Sequence, residues 1–154
     1  MATLYLSLGT NLGDRRSNLD TALTLICQKI GTVEAVSDIV ETEPWGFDSP
    51  NSFLNLTAKV KTELTPLDVL KTTKKIEKSM GRTSKTGTRG YQDRIIDIDL
   101  LMYDELVTES PELTIPHRLM HKRRFVLEPL AEIAPELEHP VLHKTIRQLL
   151  NEIQ

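Results

Sequence analysis

Asp97 and Asp99 are the residues whose type and spacing most directly suggest chemistry. They lie in Arg94-Ile95-Ile96-Asp97-Ile98-Asp99-Leu100-Leu101-Met102-Tyr103, where seven of ten residues are Ile, Leu, Met or Tyr. So apolar and β-branched a run reads as an interior strand. Side chains alternate along a strand, so Asp97 and Asp99 share one face while Ile96, Ile98 and Leu100 take the other. Two carboxylates side by side in apolar surroundings repel each other and lose hydration, which is costly unless a cation compensates. A hard divalent ion suits them. Mg²⁺ uses one or two carboxylates and completes its shell with water and substrate phosphate oxygens. A solvated carboxylate pair on a half-exposed strand is the plainer reading of the same spacing.

The stretch just upstream favours an anionic ligand. Residues 81–94 carry Arg82, Lys85, Arg89 and Arg94 against the single acid Asp93, with three glycines and no hydrophobic period. They read as a loop able to close over an anion. With nothing to offset its ordering entropy, this loop is expected to be mobile until a ligand binds. A second basic focus spans 117–124, with four Lys/Arg, two His and no acid. The chain as a whole carries a net charge of −3. Local positive charge on an acidic protein points to a small polyanion such as a nucleotide and away from nucleic acid.

The aromatic residues form the third constellation. The chain has only seven, and all three Phe and the single Trp fall at positions 45, 47, 53 and 125. They can plug sheet edges, or they can form a slot for a flat ring. Asn55 shares a strand face with Phe53, and its amide can both donate and accept at a ring edge.

These groups need elements to position them. Residues 3–8 alternate as a strand, and Gly9-Thr10-Asn11-Leu12-Gly13-Asp14 turns the chain. No Lys follows the glycines, so the turn is not a P-loop; it connects strand to helix and can border the site. Ser17 is the expected N-cap of a helix with the stripe Leu19, Ala22, Leu23, Ile26 and Ile30, ended by Gly31. Residues 32–42 read as a second strand and 53–63 as a third. In the third, Leu54, Leu56, Ala58 and Val60 face one way and Phe53, Asn55, Thr57, Lys59 and Lys61 the other. Thr65, Pro66 and Asp68 open a second helix with the stripe Leu67, Leu70, Thr73, Ile76 and Met80, closed by Gly81. Glu77 then reads as a solvated residue one turn before the basic loop. A short strand pair is expected in 106–115, a helix from Phe125 to Ile133, and a last helix capped by Thr145. The order strand, helix, strand, strand, helix, strand is the ferredoxin-like βαββαβ pattern of the α+β class. It implies an antiparallel sheet with helices on one face, here followed by additional C-terminal helices.

The length of 154 residues and the absence of an internal linker suggest one domain, 1–154. Hydrophobic content is 39% and charged content 27%, ordinary for a soluble protein. No membrane span or signal peptide is evident, and Cys27 is alone, so a reducing cytoplasm is the expected compartment. At helical spacing Cys27 is expected to pack rather than react.

Taken together, the motifs resemble the 6-hydroxymethyl-7,8-dihydropterin pyrophosphokinases of folate biosynthesis. The resemblance rests on Leu8-Gly9-Thr10-Asn11-Leu12-Gly13, Glu41-Thr42-Glu43-Pro44-Trp45-Gly46, Phe53-Leu54-Asn55, Ile76-Glu77 with Gly81-Arg82, Arg94 to Asp99, and Ile115-Pro116-His117 with Arg123-Arg124-Phe125. It implies transfer of pyrophosphate from ATP to the pterin hydroxymethyl group, with two Mg²⁺ ions at Asp97 and Asp99 and Arg82 and Arg94 stabilising developing charge. It further implies a pterin pocket of Thr42, Glu43, Pro44, Trp45, Gly46, Phe47, Phe53, Asn55 and Phe125, with the two Phe rings sandwiching the pterin. The nucleotide side would comprise Glu77, Arg82, Lys85, Arg94, Leu100, Thr114, His117, Arg118 and Arg123. A monomer is the expectation and a dimer the alternative. The chain departs from the family pattern at Trp45, Arg89 and Arg118, and its basic loop is two residues longer than is common. Two other readings stay open on the residues alone: a non-catalytic ligand-sensing module, and a metal-dependent phosphodiesterase.

Overall fold

The central strand β1 (Ala2–Thr10) pairs antiparallel with β4 (Phe53–Thr62) on one side and with β5 (Asp97–Tyr103) on the other. Beyond β4 lie β2 (Gly31–Val36) and β3 (Val40–Thr42), giving the order β2-β4-β1-β5 with β3 also along β4. The computed structural model describes residues 1–43, 52–81 and 95–153. Two helices, α1 (Arg15–Lys29) and α2 (Pro66–Ser79), complete a ferredoxin-like βαββαβ unit.

The expected second strand is broken at Ser37. The Ser37 backbone N–H donates to the Thr57 carbonyl, but Thr57 N–H donates to the Ser37 hydroxyl instead of to a backbone oxygen. A side-chain acceptor has displaced a rung of the ladder, so β2 stops and β3 resumes after it.

One face of the sheet builds the larger core. Leu4, Leu6 and Leu8 of β1, Leu56, Ala58 and Val60 of β4, and Ile98 and Leu100 of β5 pack against Leu19, Ala22 and Ile26 of α1 and Val69 and Ile76 of α2. The other face is partly covered by α3 (Arg124–Ile133) and α4 (Ile146–Glu152), whose Val126, Leu127, Leu130, Ile146 and Leu149 pack against Tyr5, Leu101 and Met102. These are the additional C-terminal helices, and they take the sheet face opposite α1 and α2. A bulge in β5 puts Met102 on the same side as Leu101. Leu6 is opposite Leu100 and Tyr5 is opposite Met102, so Leu101 is the extra residue and the strand shifts phase there.

Local details correct several expectations. Asp14, not Ser17, caps α1, its carboxylate accepting from Ser17 N–H at 3.1 Å. Gly31 does not end the helix in a left-handed turn. It begins β2, where an added Cβ would lie 2.0 Å from the Lys61 carbonyl oxygen, so it is the close strand approach that needs glycine. Cys27 is exposed and does not pack. In α2 the Thr65 cap, Pro66 and Asp68 stand as the sequence suggests, and Gly81 has φ +107°. The buried stripe of α2, however, is Val69, Thr73, Ile76 and Glu77, while Leu67 is 47% exposed. Thr73 and Ile76 are buried as expected and Met80 packs against the core, but Val69 is buried where Leu67 was expected, and Glu77 faces inward instead of into solvent. The short strands β6 (Thr108–Glu109) and β7 (Thr114–Ile115) pair within 106–115, and Thr145 with Gln148 forms a capping box on α4. Among the described residues, no helix is long and apolar enough to cross a membrane.

Candidate active site

Asp97 and Asp99 stand on the part of β5 that borders the second sheet face. Across the ladder, Asp97 is opposite Gly9 and Asp99 opposite Ser7. The small residues of β1 leave room beside both carboxylates, which are half-buried and line two separate cavities.

The first cavity is an aromatic cleft with about 510 Å³ of empty space. Phe53 and Asn55 of β4, Thr42 at the end of β3, and Phe125 at the start of α3 form its walls. Alternation along β4 puts Phe53 and Asn55 on the face away from the larger core. Asn55 is 4% exposed and donates from Nδ2 to Thr42 Oγ1 at 2.9 Å. Its Oδ1 lies toward Gly9, where an added Cβ would stand 2.9 Å from that oxygen and 3.7 Å from the Phe53 ring. Gly9 is therefore part of the cleft's shape. Arg123 is 7% exposed, and its guanidinium carbon lies 5.7 Å from the Phe125 ring centroid, within cation–π range. Burial lowers the Arg123 pKa, yet a guanidinium keeps its charge at neutral pH.

The second cavity is wider and more polar, with about 880 Å³ of empty space. Leu70, Thr73, Lys74 and Glu77 of α2 form one wall, Ile98 and Leu100 of β5 the floor, and Glu112, Leu113, Thr114, His117 and Arg118 the other wall. Glu77, 6% exposed, accepts from the backbone N–H of Ile98 at 2.7 Å. His117 is anchored twice: its backbone N–H donates to the Leu101 carbonyl at 2.9 Å, and its Nδ1 accepts from Leu119 N–H at 3.2 Å. With Nδ1 accepting, the neutral ring carries its proton on Nε2. Burial lowers the His117 pKa; the Asp97 charge opposes that shift and Arg118 adds to it.

The donor set fits Mg²⁺. Among the described residues, no group of three or more His, Cys, Asp or Glu could form a metal cage. Two carboxylates on one strand, open to a wide polar cavity, match an ion that draws the rest of its shell from phosphate and water.

The structure thus brings Thr42, Glu43, Phe53, Asn55 and Phe125 together in the aromatic cleft, and Glu77, Leu100, Thr114, His117 and Arg118 in the polar one. Arg123, expected on the nucleotide side, lines the aromatic cleft. Pro44, Trp45, Gly46, Phe47, Arg82, Lys85, Arg89 and Arg94 lie outside the described residues. Sequence reasoning missed Ser7, Lys74 and Glu112. The alternation of β1 carried the signal for Ser7, a polar residue on the face opposite Leu6 and Leu8. No comparable signal marked Lys74 or Glu112.

The family model described as 7,8-dihydro-6-hydroxymethylpterin-pyrophosphokinase matches residues 5–135. The chain belongs to that family. It is 48% identical over 141 residues to the 2-amino-4-hydroxy-6-hydroxymethyldihydropteridine pyrophosphokinase of Porphyromonas gingivalis, covering 91% of this chain and 95% of that protein. Identity to the Aquifex aeolicus enzyme of the same name is 38% over 148 residues, with 96% and 90% covered. Among solved structures, wild-type Plasmodium falciparum HPPK-DHPS with pteroate superposes with a TM-score of 0.81 at 21% identity, which speaks to the fold. The match covers 98% of this chain but only 44% of that longer one. Family membership makes this protein a pyrophosphokinase, an ATP-dependent diphosphokinase of folate biosynthesis.

Proposed function

We propose that the two clefts divide the substrates of pyrophosphoryl transfer from ATP to 6-hydroxymethyl-7,8-dihydropterin. The aromatic cleft takes the pterin and the polar cleft takes ATP. One observation carries this division: Asp97 and Asp99 line both cavities, so a reaction centred on them can reach a ligand in each.

In this reading the pterin ring stacks on Phe53 and Phe125, with the Asn55 amide, oriented by Thr42, at its edge. Arg123 supplies positive charge beside Phe125. The nucleotide lies along Leu70 and Leu100, flanked by Thr114, and its phosphates run toward His117 and Arg118. His117 presents a neutral Nε2–H donor and Arg118 a permanent charge. The hydroxymethyl oxygen bonds to the β-phosphorus, the bond from that phosphorus to the oxygen bridging to the α-phosphate breaks, and AMP leaves with the bridging oxygen. The hydroxyl proton passes to solvent. Catalysis of this kind is positioning and charge neutralisation, and needs no covalent enzyme intermediate. Asp97 and Asp99 would hold Mg²⁺, two ions in our proposal, which supplies charge neutralisation at the phosphates. On the resemblance alone, Arg82 and Arg94 stabilise charge at the transferred group, Lys85 contacts ATP, and Pro44, Trp45, Gly46 and Phe47 border the pterin. We also propose that residues 1–154 act as a single domain and a monomer, since one chain supplies residues to both clefts, and that the protein works in the cytoplasm, in keeping with its single cysteine.

The test is product analysis by mass spectrometry with Mg²⁺, ATP and 6-hydroxymethyl-7,8-dihydropterin. Equal amounts of AMP and pterin diphosphate are expected. No AMP would indicate a sensing module; AMP formed without the pterin would indicate a phosphodiesterase.

A further inference from the structure

Glu77 is a carboxylate on the inward stripe of a helix, a position otherwise occupied by Val69, Thr73 and Ile76. A buried charge is expensive unless strong hydrogen bonds receive it. Here its Oε2 accepts from Ile98 N–H at 2.7 Å, a short, charge-assisted bond. The location of that N–H is what matters. Among the described residues, β5 ends the sheet path and pairs with β1 alone. In an antiparallel pair, alternate residues turn their backbone groups away from the partner strand. An outward N–H on an edge strand has no rung to hold it, and edges fray first. Further along the same strand, His117 N–H donates to the Leu101 carbonyl. At Ile98, the bond comes from Glu77.

Ile98 separates Asp97 from Asp99. Its N–H belongs to the peptide plane that joins Asp97 to Ile98, so a bond at this hydrogen restrains ψ of Asp97 and φ of Ile98, the residue that links the two aspartates. Glu77 also lines the polar cavity together with both aspartates and with Ile98. We infer that Glu77 is a positioning residue that clamps the open edge of β5 and thereby sets the two aspartates for the divalent cation. Resting on the functional reading above, this assigns Glu77 a role through the strand and not through direct contact with the nucleotide. The rule is that of a metal site's outer partners, which orient the ligands and raise affinity without touching the ion.

The experiment compares wild type with Glu77→Gln and Glu77→Leu. The amide oxygen of Gln can still accept from Ile98 N–H, whereas Leu has a similar volume and accepts nothing. Two readouts are taken on folded protein. Exchange of the Ile98 amide hydrogen, followed by NMR in metal-free protein, should be slow in wild type and in Glu77→Gln, and clearly faster in Glu77→Leu. Mn²⁺ binding, measured by calorimetry with a non-hydrolysable ATP analogue present, should weaken about tenfold or more in Glu77→Leu, the range seen for outer partners of metal ligands, and stay near wild type in Glu77→Gln. Pterin affinity should be unchanged in both. A Glu77→Leu protein with wild-type Mn²⁺ affinity would overturn the inference. So would a Glu77→Gln protein as impaired as Glu77→Leu, because the charge itself and not the clamp would then be required. An Asp97→Asn control keeps the two levels apart: if it leaves Mn²⁺ affinity unchanged, the metal assignment fails, whereas a drop there with none in Glu77→Leu removes the clamp alone.

Discussion

The two clefts share Asp97 and Asp99 and differ in almost everything else. The aromatic cleft is smaller, walled by Phe53 and Phe125, and contains one buried amide held by one hydrogen bond. The polar cleft is wider and lined by Lys74, Glu77, Glu112, His117 and Arg118 as well as Leu70 and Leu100. A narrow apolar slot with a fixed amide selects shape and a hydrogen-bond edge, which suits a small rigid ring. A broad cleft with dispersed charge accommodates a flexible polyanion. The fold explains why they meet where they do. Asp97, Asp99 and Leu101 share one face of β5 by alternation, and the bulge at Leu101 adds Met102 to it, so the strand presents carboxylates at one end and core residues under α3 and α4 at the other.

The strongest test of the comparison acts on what is shared. Asp97→Asn or Asp99→Asn should lower turnover by at least about a hundredfold while leaving the fold intact. In the absence of metal either variant should melt no lower than wild type, because one of two repelling carboxylates is neutralised. Steady-state rates and a thermal melt in chelator check both halves. Near-normal Mg²⁺-dependent turnover would remove the shared centre, and with it the reason for two clefts.

Smaller effects should separate the clefts. Phe125→Ala and Asn55→Ala should each weaken pterin binding by about 1–3 kcal/mol, the scale of losing a ring-stacking partner, and leave an ATP analogue unaffected. Gly9→Ala should act in the same direction by overpacking, about 1–3 kcal/mol, since its methyl would press on Asn55 Oδ1. Calorimetry with each ligand in turn decides this. Equal weakening of both ligands would mean that the walls form one continuous structure and not two selective sites. The complementary variant, Lys74→Ala, should weaken the ATP analogue by no more than about 1 kcal/mol, as an exposed charge in solvent contributes little, and should spare the pterin.

How legible this was in the sequence differs between the clefts for physical reasons. The aromatic cleft lies on strands, whose period of two has no adjustable phase. Placing Leu54, Leu56, Ala58 and Val60 inward necessarily placed Phe53 and Asn55 on the other face, and the structure agrees. The polar cleft depends on a helix, where several apolar stripes compete. The stripe Leu67, Leu70, Thr73, Ile76 and Met80 holds at Thr73 and Ile76, but Val69 and not Leu67 is buried in the first turns, and the buried face extends to Glu77, whose polarity hid it from any hydrophobic pattern. The break at Ser37 was illegible because a hydroxyl replaced a backbone acceptor, which no hydrophobic pattern records. The cap of α1 was misplaced by three residues because Asp14 and Ser17 are both good caps and sit at the two ends of the same bond.

The smallest expected effect lies at the rim of the aromatic cleft. Arg15, the first residue of α1, donates from Nη1 to the Ser52 carbonyl at 3.0 Å and to Ser52 Oγ at 2.9 Å, and lies 3.5 Å from Glu41 Oε2. Ser52 in turn donates its hydroxyl to Glu41. Glu41 immediately precedes Thr42, Ser52 immediately precedes Phe53, and Thr42 and Phe53 are paired across β3 and β4. One guanidinium therefore ties together the two strand ends that carry cleft residues. The Ser52 hydrogen bond, and then that of Arg15, lower the Glu41 pKa below its ordinary value. A lowered carboxylate pKa means that the cluster is complete at neutral pH and is lost only as pH falls through that lowered value, so it should add no pH dependence to pterin binding near neutrality. Exposed ion pairs are weak and screened by salt. Arg15→Ala should accordingly raise the pterin KM only about two- to threefold, with kcat and the ATP KM unchanged and the difference shrinking in high salt. A drop in kcat, or an equal rise in both KM values, would show that α1 supports the reacting centre itself and not one wall of one cleft.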